Sequence, residues 1–142
     1  MNDDLQRFVN AQKNDYPVAL AEINEGQKRS HWMWYIFPQI IGLGESKTSK
    51  YYAIRDMNEA KAYLEHNILG GRLIEISKAL LNLSTSDPCS VFDYPDYKKL
   101  QSSMTLFSQI ENADTVFIQV LDKFFNGELD NNTLIMLREL NS

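Results

Sequence analysis

The spacing of apolar residues confines this chain to helices. Leu5, Phe8 and Val9 stand at i, i+3 and i+4, with Gln12 at i+7, so all four share one helical face. Asp3 or Asp4 supplies a side chain able to cap the first free N–H groups, and a first helix is expected from about Asp4 to Lys13. Tyr16, Ala19, Leu20 and Ile23 repeat the pattern. Pro17 falls near the start of that second helix, where its missing N–H is harmless, and Gly26 supplies the stop. A short apolar segment follows from His31 to Phe37, with Ser30 as its cap and Pro38 as its end.

Gly42-Leu43-Gly44 reads as a loop, and Ser46 to Arg55 is polar and aromatic. Asn58 opens a helix in which Ala60, Tyr63 and Leu64 share a face as far as His66, and Gly70-Gly71 is expected to break it. Leu73, Ile76, Leu80 and Leu83 define the next helix, followed by a loop from Ser84 to Pro88. A longer helix begins between Asp93 and Asp96 and carries Leu100, Met104, Phe107 and Ile110. Asp114 caps another, with Phe117, Val120, Leu121 and Phe124, and Asn126-Gly127 closes it. Asp130 opens the last, with Leu134, Leu137 and Leu140.

Sustained period-two alternation with β-branched residues is missing, so no significant sheet is expected, and no fixed-period repeat points to a solenoid. The pattern predicts an all-α fold: one domain over residues 1–142, an irregular bundle of about seven helices joined by short loops. Its core is expected to contain Leu5, Phe8, Leu20, Ile23, Leu73, Ile76, Leu80, Leu100, Met104, Phe107, Val120, Leu121 and Phe124.

A chain of 142 residues can bury one substantial core but not two. With 44% hydrophobic and 23% charged residues it has the balance of an ordinary globular protein. Its apolar stretches, such as Trp32 to Phe37, fall far short of the roughly 18 residues of a spanning helix, so no membrane partner is expected. The acidic Met1-Asn2-Asp3-Asp4 start is unlike a secretory signal and points to a cytoplasmic location. Cys89, the single cysteine, reads as a small core residue rather than a nucleophile, and two separated histidines give no metal-site spacing. No cofactor motif is present either.

A net charge of −5 argues against duplex nucleic acid as a partner. The charge is unevenly spread. From Gly26 to Arg72 seven basic residues stand against four acidic ones, a local +3 that leaves −8 elsewhere. Such a segment is either a solvated face or the approach to a small anion.

Three segments contain the residue types that chemistry needs. Lys28 to Gln39 holds both tryptophans, Trp32 and Trp34, next to His31. It reads either as an aromatic plug in the core or as a pocket wall in which His31 carries protons. Gly42-Leu43-Gly44 followed by Ser46, Lys47 and Ser49 has ingredients of an anion site, but not the order of a P-loop, and a plain capped loop explains it equally well. The helix from Asp96 shows an anomaly: on a wheel of about 100° per residue, Ser103 near 340° and Lys99 near 300° fall within or against the apolar arc of Leu100, Met104, Phe107 and Ile110. Groups buried there demand partners, unless Ser103 bonds to the preceding turn and Lys99 snorkels outward.

Several runs together carry a family likeness: Asp4 to Val9 with Ala11-Gln12, Lys28 to Gln39, Gly42-Leu43-Gly44 with Ser46, Tyr52-Ala53-Ile54, Leu69-Gly70 with Arg72-Leu73, Lys99-Leu100 with Ser102 to Phe107, and Leu121 to Phe125. The chain resembles a bacterial domain-of-unknown-function family sometimes mislabelled as calpastatin. The resemblance runs almost end to end and is most specific around His31. It implies the mainly helical fold of the mycobacterial Rv-type hypothetical-protein superfamily, and it implies no catalytic residues. The calpastatin label does not fit, because that inhibitor is a disordered repeat protein and this chain reads as a compact domain.

Two functions compete. One is a pocket for a small anionic or nucleotide-like ligand, with catalysis left open, lined by Gln12, His31, Trp32, Gln39, Ser46, Ser49, Tyr52, Arg55, Lys99 and Ser103. Its candidates for chemistry are His31, Lys99 and Ser103, expected to face one concavity beside Trp32. The other is a protein-interaction module without activity, whose polar residues only specify the core. Convergence of those three side chains favours the first, and a flat exposed apolar patch favours the second.

Overall fold

The two apolar repeats that flank Pro17 belong to one helix. In the computed structural model, which describes residues 3–141, α1 runs unbroken over Gln6–Glu25. An interior proline removes one backbone hydrogen bond and costs about 3 kcal/mol. Burial outweighs that cost, because Phe8, Gln12, Tyr16, Ala19 and Ile23 form one continuous inward stripe on both sides of it. Leu20, expected in the core, lies beside the stripe and is only partly buried. Gly26 ends α1 at φ 87°, its N–H reaching the carbonyls of Glu22 and Ile23. Asp4 does not cap the start: the chain enters through a 3₁₀ turn, Asp3–Leu5, that buries Leu5, and Asp4 pairs with Arg55 instead. The Asp3 side chain, Met1-Asn2 and Ser142 lie outside the described residues.

Eight further α-helices follow among the described residues: α2 (Met33–Ile36), α3 (Lys47–Tyr52), α4 (Met57–Glu65), α5 (Leu69–Leu81), α6 (Pro88–Val91), α7 (Asp96–Ser108), α8 (Val116–Phe125) and α9 (Asn131–Leu140). The all-α, single-domain expectation holds. Pairing among the described residues is limited to one isolated parallel bridge between Ile40 and Ile54. Helix α5 packs on α1, α4 and α8, while α7 packs on α8, α9, α4 and α6, and all of them enclose one core. Among the described residues no helix is long and apolar enough to cross a membrane.

Where the chain departs from the expected boundaries, local chemistry accounts for it. Gly70 and Gly71 lie in the first turn of α5 rather than between helices, because Gly70 lets α5 approach the end of α4. A Cβ there would sit 2.0 Å from the Leu64 carbonyl oxygen. The break falls at His66, whose Nδ1 accepts the N–H groups of Ile68 and Leu69 at 3.1 and 3.3 Å. Cys89 is exposed, not a core residue: α6 is a single turn that points Val91 and the following Phe92 inward and leaves Cys89 outside. Helix α3 is the one-and-a-half-turn helix hidden in the polar, aromatic stretch after Gly44.

Helix α7 is buried on more than one face, with Leu100 and every residue from Ser102 to Phe107 inside. Ser103 is fully buried and its Oγ has no hydrogen-bond partner among the described residues. Phe107 packs between Tyr63 and Phe117, at ring separations of 5.4 and 5.8 Å. Phe107→Ala should therefore lower unfolding free energy by about 3–5 kcal/mol in a denaturant titration. Ser103→Ala should be neutral or stabilising by about 1 kcal/mol in the same assay, since it removes an orphaned hydroxyl.

Candidate functional site

The site is built from one buried carboxylate outward. Glu22, on the inner side of α1, accepts at Oε1 the amide of Arg29 (2.8 Å), the amide of Ser30 (3.0 Å) and the indole N–H of Trp32 (2.9 Å). Its Oε2 accepts the Ser30 hydroxyl. Burial alone would raise this carboxyl, but the bonds from the Ser30 hydroxyl, the Arg29 amide and Trp32 outweigh it and lower the group to about 2. The expected capping role of Ser30 is thus replaced by a bond to Glu22, and the turn opens at Trp32. Trp32 is drawn into the core, so it is no pocket wall.

Two residues later, on the far side of the single-turn α2, Trp34 is half-buried. A chain of charges ties it to α7. Lys28, held by its N–H to the Val91 carbonyl, places its Nζ 2.9 Å from Asp96 and 5.1 Å from the Trp32 ring centroid. Asp96 also meets Lys99 at 3.2 Å, and the Lys99 ammonium lies 3.9 Å above the Trp34 ring centroid. Burial works against ionisation of Asp96. Hydrogen bonding and charge from Lys28, then from Lys99, prevail and hold it below its ordinary value. The partners demanded by Lys99 are therefore Asp96 and Trp34.

Beside this pair opens a cleft of about 310 Å³. Trp34, Gln39, Leu43 and Gly44 form one wall, Pro95, Lys98, Lys99 and Ser102 of the α7 start another, and Asp130 and Asn132 of the α9 start the third. Gln39 presents a buried Nε2 with no hydrogen-bond partner among the described residues. A smaller chamber of about 20 Å³, room for roughly one water, shares Trp34, Gln39, Leu43 and Gly44 and adds Ser49 and Tyr52. Gly44 is a close-approach glycine: a Cβ would lie 2.7 Å from the Ser49 side chain.

The structure gathers only part of the expected set here. Gln39 and Lys99 line the cleft, and Gln39, Ser49 and Tyr52 line the small chamber. The Ser46 hydroxyl accepts the Ser49 amide (3.1 Å), while Ser49 donates its hydroxyl to the Ser46 carbonyl (2.8 Å), so both close α3. Gln12 is buried elsewhere, donating to the Tyr35 carbonyl and Tyr63 hydroxyl and accepting from Arg72. Arg55 pairs with Asp4 and Glu59 on another surface. His31 is exposed and borders neither chamber, its carbonyl accepting the Tyr35 hydroxyl. Ser103 is buried in the core, while its neighbour Ser102 faces the cleft. Convergence of His31, Lys99 and Ser103 beside Trp32 is thus corrected to Lys99 and Gln39 beside Trp34.

Lys98, Ser102, Asp130 and Asn132 lie outside the expected lining, and Trp34, part of the Lys28–Gln39 segment expected as plug or wall, takes the place given to Trp32. One signal was available: residues two apart on a helical turn point about 200° apart, so Trp32 inside implies Trp34 outside. The pairing of α7 with the start of α9, through Ser102 and Asp130, leaves no local trace.

A family model described as protein of unknown function (DUF1810) matches residues 2–137, and the chain belongs to that family. The crystal structure of the conserved hypothetical protein Rv1873 from Mycobacterium tuberculosis is similar over 95% of this chain and 96% of that one, at 41% identity and a TM-score of 0.93. The family likeness and the helical fold it implied are therefore both established. Comparison with curated proteins gives no match.

The carboxylate that anchors this region has a signature in acid. A group lowered from 4.5 to about 2 on folding contributes about 3 kcal/mol, in full above pH 4.5 and lost as pH falls towards 2. Glu22→Gln should be less stable than the parent at pH 7, and the gap should close across that window in denaturant titrations run at each pH.

Proposed function

We propose that the cleft beside Trp34 binds a small anionic ligand. The observation that carries the reading is a cleft lined by Lys98, Lys99 and Gln39, the last with a buried Nε2 that has no hydrogen-bond partner among the described residues. A buried donor without an acceptor is unfavourable by about 1–3 kcal/mol, and a ligand oxygen placed there removes that penalty. The two ammonium groups supply charge, and Trp34 supplies a rigid wall. The Ser102 hydroxyl meets Asp130 at 3.1 Å, but that carboxylate oxygen also caps α9 through Thr133, so the reading is of binding, with no reaction assigned.

The competing reading, a partner-binding module, calls for a contiguous apolar face. The large exposed hydrophobic residues Val18, Tyr51, Ile68, Tyr94, Ile118, Ile135 and Leu140 are distributed over α1, α3, the start of α5, the link from α6 to α7, α8 and α9. The cleft is the better-supported location.

The test is a thermal-shift screen of phosphorylated and carboxylated metabolites. A ligand at a hundredfold excess over its Kd should stabilise the protein by about 2.7 kcal/mol, several degrees in Tm. Lys99→Met should abolish the shift and leave the helical circular dichroism unchanged, because Lys28 still pairs with Asp96. Lys98→Met, which removes an exposed charge, should weaken the shift without altering stability. A full shift retained in both variants would refute the site.

A further inference from the structure

We infer that the ligand of this cleft is a hydroxyl-rich monophosphate, a sugar phosphate, rather than a nucleotide recognised through its base; this rests on the anion-binding reading above. The first observation concerns Trp34. Its ring is the wall on which a base would be expected to stack, yet the Lys99 Nζ already lies 3.9 Å above its centroid. An ammonium at that position fills space that a ring stacked on the same face would need. Lys99 is tethered there by Asp96 at 3.2 Å, and Asp96 is itself fixed by Lys28 at 2.9 Å. A base on this face must break both the ion pair and the cation–π contact.

The second observation is the order of polar groups along the cleft. The cationic end is Lys98 and Lys99. One helical turn further along α7, the Ser102 Oγ lies 3.1 Å from both the Lys98 carbonyl and the Asp130 Oδ2. The bonds to the Asp130 carboxylate all fall on Oδ2, which accepts from the Thr133 amide and hydroxyl as well, so Oδ1 keeps its accepting capacity among the described residues. The Asn132 amide is exposed at the same end and makes no hydrogen bond among the described residues, while Gln39, whose buried Nε2 has no partner among them, also lines the cleft. An acceptor, a group that both donates and accepts, and a donor match the dual capacity of hydroxyl groups.

The third observation is charge. A phosphate suits the two lysines, but a second phosphate would extend towards Asp130 and meet a like charge. A cleft of about 310 Å³ also stands at the lower end of small-ligand pockets. One phosphate at the lysine end and a short polyol at the Asp130 end satisfy all three observations.

The experiment measures dissociation constants of the full chain for inorganic phosphate, ribose 5-phosphate, glucose 6-phosphate and adenosine monophosphate, by tryptophan fluorescence and by thermal shift. At least one sugar phosphate should bind about tenfold or more tighter than inorganic phosphate, and the nucleotide no tighter than ribose 5-phosphate. Asn132→Ala, at an exposed side chain, should reduce the sugar phosphate to the affinity of phosphate alone, and Asp130→Asn should do the same while keeping a good helix cap. If adenosine monophosphate binds about tenfold tighter than ribose 5-phosphate, or if sugar phosphates bind no better than phosphate, the polyol assignment is overturned and the anion site stands. If none of the four ligands binds, the anion-site reading falls together with it.

Discussion

Everything around the cleft depends on the carboxylate of Glu22. An ion on the inner side of a helix is costly to desolvate unless its lone pairs are filled. Four donors fill them, and all four come from the three residues Arg29, Ser30 and Trp32. That arrangement does more than satisfy a charge. It fixes the path of the chain immediately after α1, turns Trp32 into the core and so turns Trp34 away from it. It also sets Lys28 where it reaches Asp96 at the start of α7. An apolar residue at position 22 would bury as well, but it would leave the direction of the following segment unspecified.

How far the sequence disclosed this depends on range. Periodicity reports which face of a helix is apolar, and the core residues named from it are buried apart from Leu20, which sits at the margin of a stripe defined by Phe8, Tyr16, Ala19 and Ile23. Punctuation by glycine and proline was less reliable, because each has two uses. Pro17 looked like a helix start but lies inside α1, where burial on both sides carries the helix through it. Gly70 looked like a breaker but provides the close approach of α5 to the Leu64 carbonyl.

The candidate site was legible only in its local half. The wheel placed Lys99 and Ser103 against an apolar arc, and both do require an explanation of their burial. It could not say that Lys99 answers to Trp34, a residue 65 positions earlier, rather than to Trp32. Nor could it separate Ser103, enclosed in the core, from Ser102, which faces the cleft, since α7 is buried on most sides. His31 has the side chain suited to proton transfer, but among the described residues its carbonyl, not its ring, makes the contact. Contacts of this kind arise from packing between distant helices.

The charge ladder from Trp32 to Trp34 explains how a protein of net charge −5 can present a cationic cleft. Lys28, Asp96 and Lys99 together carry +1, and Lys98 adds a second positive charge at the rim. Asp96 weakens the field of Lys99 by proximity, yet the same contact, with the ring of Trp34, removes much of the freedom of a four-carbon side chain. Ordering such a chain on binding would otherwise consume about 0.5–1.5 kcal/mol. The pairing therefore exchanges part of the Coulomb attraction for a fixed ammonium position. That exchange favours a ligand whose charge is localised and whose remaining atoms hydrogen-bond, because affinity then rests on geometry rather than on the long-range field that the rest of this acidic surface opposes.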